Sequence, residues 1–199
     1  MKSELILIAL ILLFCLLLYY YYFVQQKNMV HVKSDVDNKF YLVRDVYDKQ
    51  NAANTLGKIS ENVKIISEYL YSIRNDEKSK EYIEYIDLLY KKYQNIVYVE
   101  SEENSSHTSY SINKGERIVF CLRTKLASDE LHNINLIIYV VLHEISHVAC
   151  PIYDNHGPLF QKIFFFIATN AISKGIYTKI DFEKDPVNYC GMKINKSIV

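Results

Sequence analysis

The sequence predicts an α+β domain, predominantly helical, carrying a small antiparallel β-sheet or hairpin and preceded by one N-terminal transmembrane helix. Three observations predict it: an unbroken apolar run at the start, apolar residues returning at three- and four-residue steps afterwards, and a stretch where the period drops to strand type. Composition agrees. Half of the 199 residues are hydrophobic, and 18 Tyr outnumber 5 Gly and 3 Pro together, a make-up that folds. Lys plus Arg equal Asp plus Glu at 23 each. The chain therefore lacks the basic excess that holds a phosphate backbone, and no nucleic-acid partner is expected.

The apolar run LILIALILLFCLLLYYYYF occupies residues 5–23. At about 1.5 Å per residue it approaches the ~30 Å hydrocarbon thickness, and no small-x-small cleavage site follows it. Residues 1–23 are thus expected to anchor a single-pass membrane protein, with Tyr19 to Tyr22 at the headgroup level and Gln25, Gln26 and Lys27 marking the return to water. Lys2 is offset by Glu4, and Lys27 and Lys33 by Asp35 and Asp37, so sidedness is open. Residues 24–39 are polar without a sustained period and read as a tether, leaving 40–199 as the folded domain.

Within that domain, apolar residues between about Val43 and Tyr71 (Ile59, Val63, Ile66, Leu70) predict one amphipathic helix, and Ile83, Ile86, Leu89 and Tyr93 a second. Ile96 to Val99 is a strand-type run. Tyr110 to Ile112 and Ile118 to Leu122, separated by Asn113-Lys-Gly-Glu116, predict a hairpin. Four cysteines (Cys15, Cys121, Cys150, Cys190) form no CxxC pair, so buried free thiols are expected, with a Cys150–Cys190 bridge open to an oxidising compartment. Asn104 and Asn195 head glycosylation-type triplets that matter only in such a compartment.

The chemistry lies where the apolar stretch Ile134 to Leu142 runs into His143-Glu144-Ile145-Ser146-His147. On a helix, 3.6 residues per turn put His143 and His147 on one face, able to reach one cation, with Glu144 offset by about 100° toward a metal-bound water. Catalytic zinc takes about three protein ligands and a water. The preferred third ligand is His156, which follows a loop begun at Pro151 and opens a second helix at Pro158. Glu183, Asp181 and Cys150 are the fallbacks. His31, His107 and His132 read as solvated surface residues.

The segment VLHEISHVACPIYDNHGPLF (141–160) resembles the minimal zincin-like domains of the WLM and SprT-like type, in which a third His follows the HExxH helix at the start of the next. The strings YLVRDVYDKQNAAN (41–54), INKGERIVFCLR (112–123) and GIYTKIDFEKDPVNYCGM (175–192) look like predicted metallopeptidases of large DNA viruses. The resemblance implies His143, His147 and His156 as zinc ligands, Glu144 as catalytic acid/base and, for a viral protein, a host or virion membrane. A metzincin would have Gly where Cys150 stands and a nearer third His than His156, so the resemblance is not to that subclass. SprT-like proteins often act in DNA–protein crosslink repair through appended DNA-binding modules, which this chain lacks, so that role is not carried over.

The expected function is hydrolysis of a protein or peptide substrate by zinc-activated water with Glu144 as general base. The strand Ile118 to Leu122 is expected to offer an edge to the substrate, and a tyrosine such as Tyr153 or Tyr189 to steady the oxyanion. Two rivals stand beside it: a membrane-tethered structural or interaction protein with a non-catalytic zinc site, and a zinc hydrolase acting on a non-peptide substrate.

Overall fold

The computed structural model describes residues 2–26, 28–125, 129–151 and 154–199, with the side chains of the first helix from 6 to 20. Helix α1 (Lys2–Gln26) is followed by β1 (Met29–Lys33) and β2 (Phe40–Arg44), paired antiparallel with Val30 opposite Val43. Helix α2 (Lys49–Ser72) turns Leu56, Ile59, Val63, Ile66 and Leu70 inward, the three- and four-residue stripe that defines a core-facing helix. After α3 (Ile83–Lys92), strand β3 (Val97–Glu100) enters parallel to β2. Strands β4 (Tyr110–Ile112) and β5 (Arg117–Phe120) form the hairpin, and the sheet order is β1-β2-β3-β5-β4. Two long helices follow, α4 (Ile134–Ala149) and α5 (Pro158–Ser173), then a small antiparallel pair, β6 (Val187–Tyr189) and β7 (Met192–Ile194).

The hairpin turn at 113–116 forms as its residues dictate, with Asn113, Lys114 and Gly115 all at positive φ. Gly115 sits against α4: a Cβ there would lie 2.7 Å from Val148 Cγ2. Only a glycine accepts both the φ of +95° and that approach, so the turn fixes the height of β4 over the helix.

Several expectations are corrected. The sheet is a five-stranded mixed one, with β2–β3 and β3–β5 parallel, rather than a small antiparallel sheet or hairpin. The segment 29–33, expected within the tether, is a strand, and Val43, expected to begin a helix, lies in β2. The proposed edge, Ile118 to Leu122, is covered: β5 lies between β3 and β4, and β4 is the terminal strand.

The membrane anchor is also corrected. Among the described residues no helix is long and apolar enough to cross a membrane. The expected single-pass localisation therefore does not stand.

Cys190 is bonded to Cys121, not to Cys150, because the β6–β7 turn comes back over the end of β5, with Cα atoms 6.3 Å apart. Cys150 is a buried free thiol.

Candidate metal centre

Helix α4 begins at an Asn133 cap, whose side-chain oxygen accepts from the Asn135 N–H at 2.8 Å. Twelve of its 16 residues are buried, Ile145 and Val148 among them. Each such side chain contributes about 2–3 kcal/mol by leaving water. That packing rigidly places the two half-buried histidines that share the remaining face. Their Nε2 atoms lie 3.2 Å apart, one helical turn separating His143 from His147.

The loop to α5 supplies the third ring. Asp154 Oδ2 accepts from the Phe160 N–H at 2.7 Å, satisfying one of the orphan donors at the start of α5. Gly157 is required by that contact, since a Cβ there would fall 2.1 Å from Asp154 Oδ1. The chain thus turns sharply and returns His156 to α4. Its Nε2 sits 2.9 Å from that of His147 and 3.2 Å from that of His143. Among the described residues these three form the one group of His, Cys, Asp or Glu side chains close enough to share a metal ion. Cys150, Asp181 and Glu183 do not join it.

Three nitrogens this close with no carboxylate between them make an arrangement that neutral imidazoles stabilise poorly, since each Nε2 donates or accepts but cannot serve both neighbours. Their chemistry fits a cation. In tetrahedral zinc with Zn–N of about 2.0–2.1 Å, ligand nitrogens stand roughly 3.3 Å apart, close to the spacings here. Burial, reinforced by the neighbouring rings, holds His143 down to about 3, and burial and His156 hold His147 down to about 4. Both are therefore in the unprotonated form that binds metal.

Glu144, 4 % exposed, lies beside them on the same helix. Burial alone pushes its carboxyl up to about 7. A cleft of about 700 Å³ opens over this group, bordered by residues 108–111 and Lys114 on one side and residues 192–196 on the other.

Three neighbours were not foreseen from the sequence as parts of the site. The Phe160 ring lies under the histidines, stacked on His147 at 4.3 Å and edge-on to His143 and His156 at 5.0 Å. Its place four residues after His156, in the first turn of α5, was the available signal. Lys114 Nζ donates to the carbonyls of Cys150 (2.8 Å) and His147 (3.4 Å), satisfying acceptors at the end of α4. Ser109 Oγ accepts from the Cys121 N–H at 3.1 Å and bonds the Tyr189 hydroxyl at 2.7 Å, joining the two cleft walls behind Glu144.

Tyr189, one of two tyrosines suggested for the oxyanion, is buried and lines the cleft; Tyr153, the other, lies outside the described residues. His31 and His107 are exposed as expected. His132 is not a plain surface residue: it is half-buried against the Tyr189 ring at 4.9 Å, and burial lowers its pKa.

The chain is 40% identical over 169 residues to the uncharacterized protein R325 of Acanthamoeba polyphaga mimivirus, covering 85% of this chain and 84% of that one. It belongs to the family of that mimivirus protein. The uncharacterized protein 136R of Invertebrate iridescent virus 6 is 38% identical over 84 residues, 41% of this chain and 44% of its own length. The expected similarity to proteins of large DNA viruses is thus found. No family model matches the chain. Among solved structures, Wss1 from Saccharomyces cerevisiae superimposes with a TM-score of 0.46 at 16% identity, over 67% of this chain and 89% of that one. That likeness is too shallow to carry a functional assignment.

Proposed function

We propose that this chain is a WLM-like, zinc-dependent metallopeptidase, with His143, His147 and His156 as the ligands and Glu144 as general base. The observation that carries the reading is the triangle of Nε2 atoms at 2.9–3.2 Å beside a buried carboxylate on the same helix. Bound zinc supplies Lewis acidity toward a carbonyl and toward water. Glu144, held to about 7 by burial, takes a proton from water and returns it to the leaving amine, a pKa suited to both transfers near neutrality. Strand β4 ends the sheet and borders the cleft, so its outer edge suits an extended peptide bound as an added strand. The Ser109–Tyr189 bond holds that wall to the β6–β7 wall.

A structural zinc site is closed by about four protein ligands. Here three rings face an open cleft and His156 is exposed, which favours the catalytic reading over a fold staple. The test uses the purified full chain. One zinc per chain, lost in His156→Ala, and peptide cleavage abolished in Glu144→Gln with zinc retained are the expected results; cleavage persisting in Glu144→Gln overturns the mechanism.

A further inference from the structure

The charge of the cleft differs from that of the chain. Over the whole sequence positive and negative side chains balance at 23 each. Among the described residues the cleft lining carries Lys114, Lys193 and Lys196, and its one carboxylate is the buried Glu144. Lys193 and Lys196 are exposed and have no carboxylate partner among the described residues. An ammonium that ends a cleft wall without a counter-ion is available to one brought by a ligand.

The three lysines also bracket the histidines. Lys196 is placed by its carbonyl, which accepts from the Tyr139 hydroxyl at 3.3 Å on the N-terminal side of the His cluster. Lys114 reaches the Cys150 carbonyl beyond the other end. Tyr139 and Cys150 are separated along α4 by about 16 Å, the reach of roughly four or five extended residues.

Resting on the peptidase reading, we propose that the cleft selects peptides with acidic residues on both sides of the cleaved bond, recognised by Lys193 and Lys196 at one end and Lys114 at the other. A nucleic acid fits less well. Polyanion binders neutralise about 6–10 phosphates, more than three lysines supply, and the free edge of β4 offers main-chain bonds that only a peptide backbone matches.

The experiment measures binding of fluorescein-labelled peptides to the full-length, zinc-loaded Glu144→Gln chain, with acidic, neutral or basic residues flanking one central sequence. The acidic peptide is expected to bind roughly tenfold tighter than the neutral one, with the advantage shrinking as salt rises. In the same chain, K193E/K196E should abolish that advantage and turn the preference toward the basic peptide, with zinc content unchanged. Equal binding of all three peptides, or an acidic preference that survives charge reversal, overturns the proposal. So does an oligothymidylate that outcompetes the acidic peptide. If K193E/K196E loses zinc, the salt dependence in the parent chain decides: a salt-insensitive preference overturns the proposal. Because binding is read in a chain that cannot cleave, failure of the peptidase reading is seen separately, as zinc-loaded chain without Glu144 substitution that cuts no peptide.

Discussion

Two polar clusters in this molecule follow opposite rules. Where β2, β3 and β5 end, Arg123 Nε meets Glu100 Oε1 at 2.7 Å and Arg123 Nη1 meets Asp48 Oδ1 at 2.6 Å. Arg44 gives its N–H to Glu100 Oε2 at 2.8 Å and its guanidinium to Asp129 at 2.7 Å. Burial pushes the Glu100 carboxyl up, while the N–H of Arg44 and the Arg123 guanidinium oppose that rise. Acids and bases thus answer each other inside this cluster. The histidine cluster holds three lone-pair donors and no acid among them, so a cation to match them has to come from outside. Internal pairing satisfies a cluster within the fold, whereas a one-sided donor set suits a cation.

Substitutions break this contrast in different currencies. The largest effect is expected for His147→Ala, which should reduce zinc from one per chain to none in metal analysis of the dialysed protein and abolish the proposed peptide cleavage. A chelator should reproduce the loss, and added zinc should reverse it. Next comes Arg123→Ala, which strands Glu100 in the interior. It should cost about 3–5 kcal/mol in urea denaturation while zinc per folded chain stays at one. Retained stability there would put the two clusters in the same class after all.

Smaller effects sharpen the comparison at the joints between the cleft and its support. Gly115→Ala forces a methyl onto Val148 at positive φ and should cost about 1–3 kcal/mol, read by thermal unfolding. The smallest is Tyr189→Phe. It removes the bond to Ser109 and should lower stability by about 0.5–1.5 kcal/mol with zinc unchanged.

The same division governs what the sequence disclosed. The histidine cluster is local: the i, i+4 spacing, Pro158 at a helix start and Gly157 before it are periodicities and turn signals readable within a short window. The hairpin was legible for the same reason, through Asn113 to Glu116. Strands β1 and β2 were not. Met29 to Lys33 is short and polar-interrupted, and Val43 falls in phase with the helical stripe that follows, so neither segment declares a sheet until its partner is known. Parallel pairing of β2 with β3 depends on segments more than 50 positions apart, as does the contact of Glu100 with Arg44. Lys114 and Ser109 join the site through packing alone. The apolar N-terminal run shows the converse error, a composition signal read as a span that the described helix does not provide.

The separation between His143 and His156 is 13 residues, whereas Ser109 and Tyr189, which join the cleft walls, are 80 apart. Closing the shorter loop costs about 1.6 kcal/mol less chain entropy than closing the longer one. The α-hairpin bearing the three rings is therefore expected to form before the opposite wall. On the proposed reading, zinc uptake is therefore expected to precede completion of the cleft, an order read by following zinc binding and the Tyr189 wall during refolding.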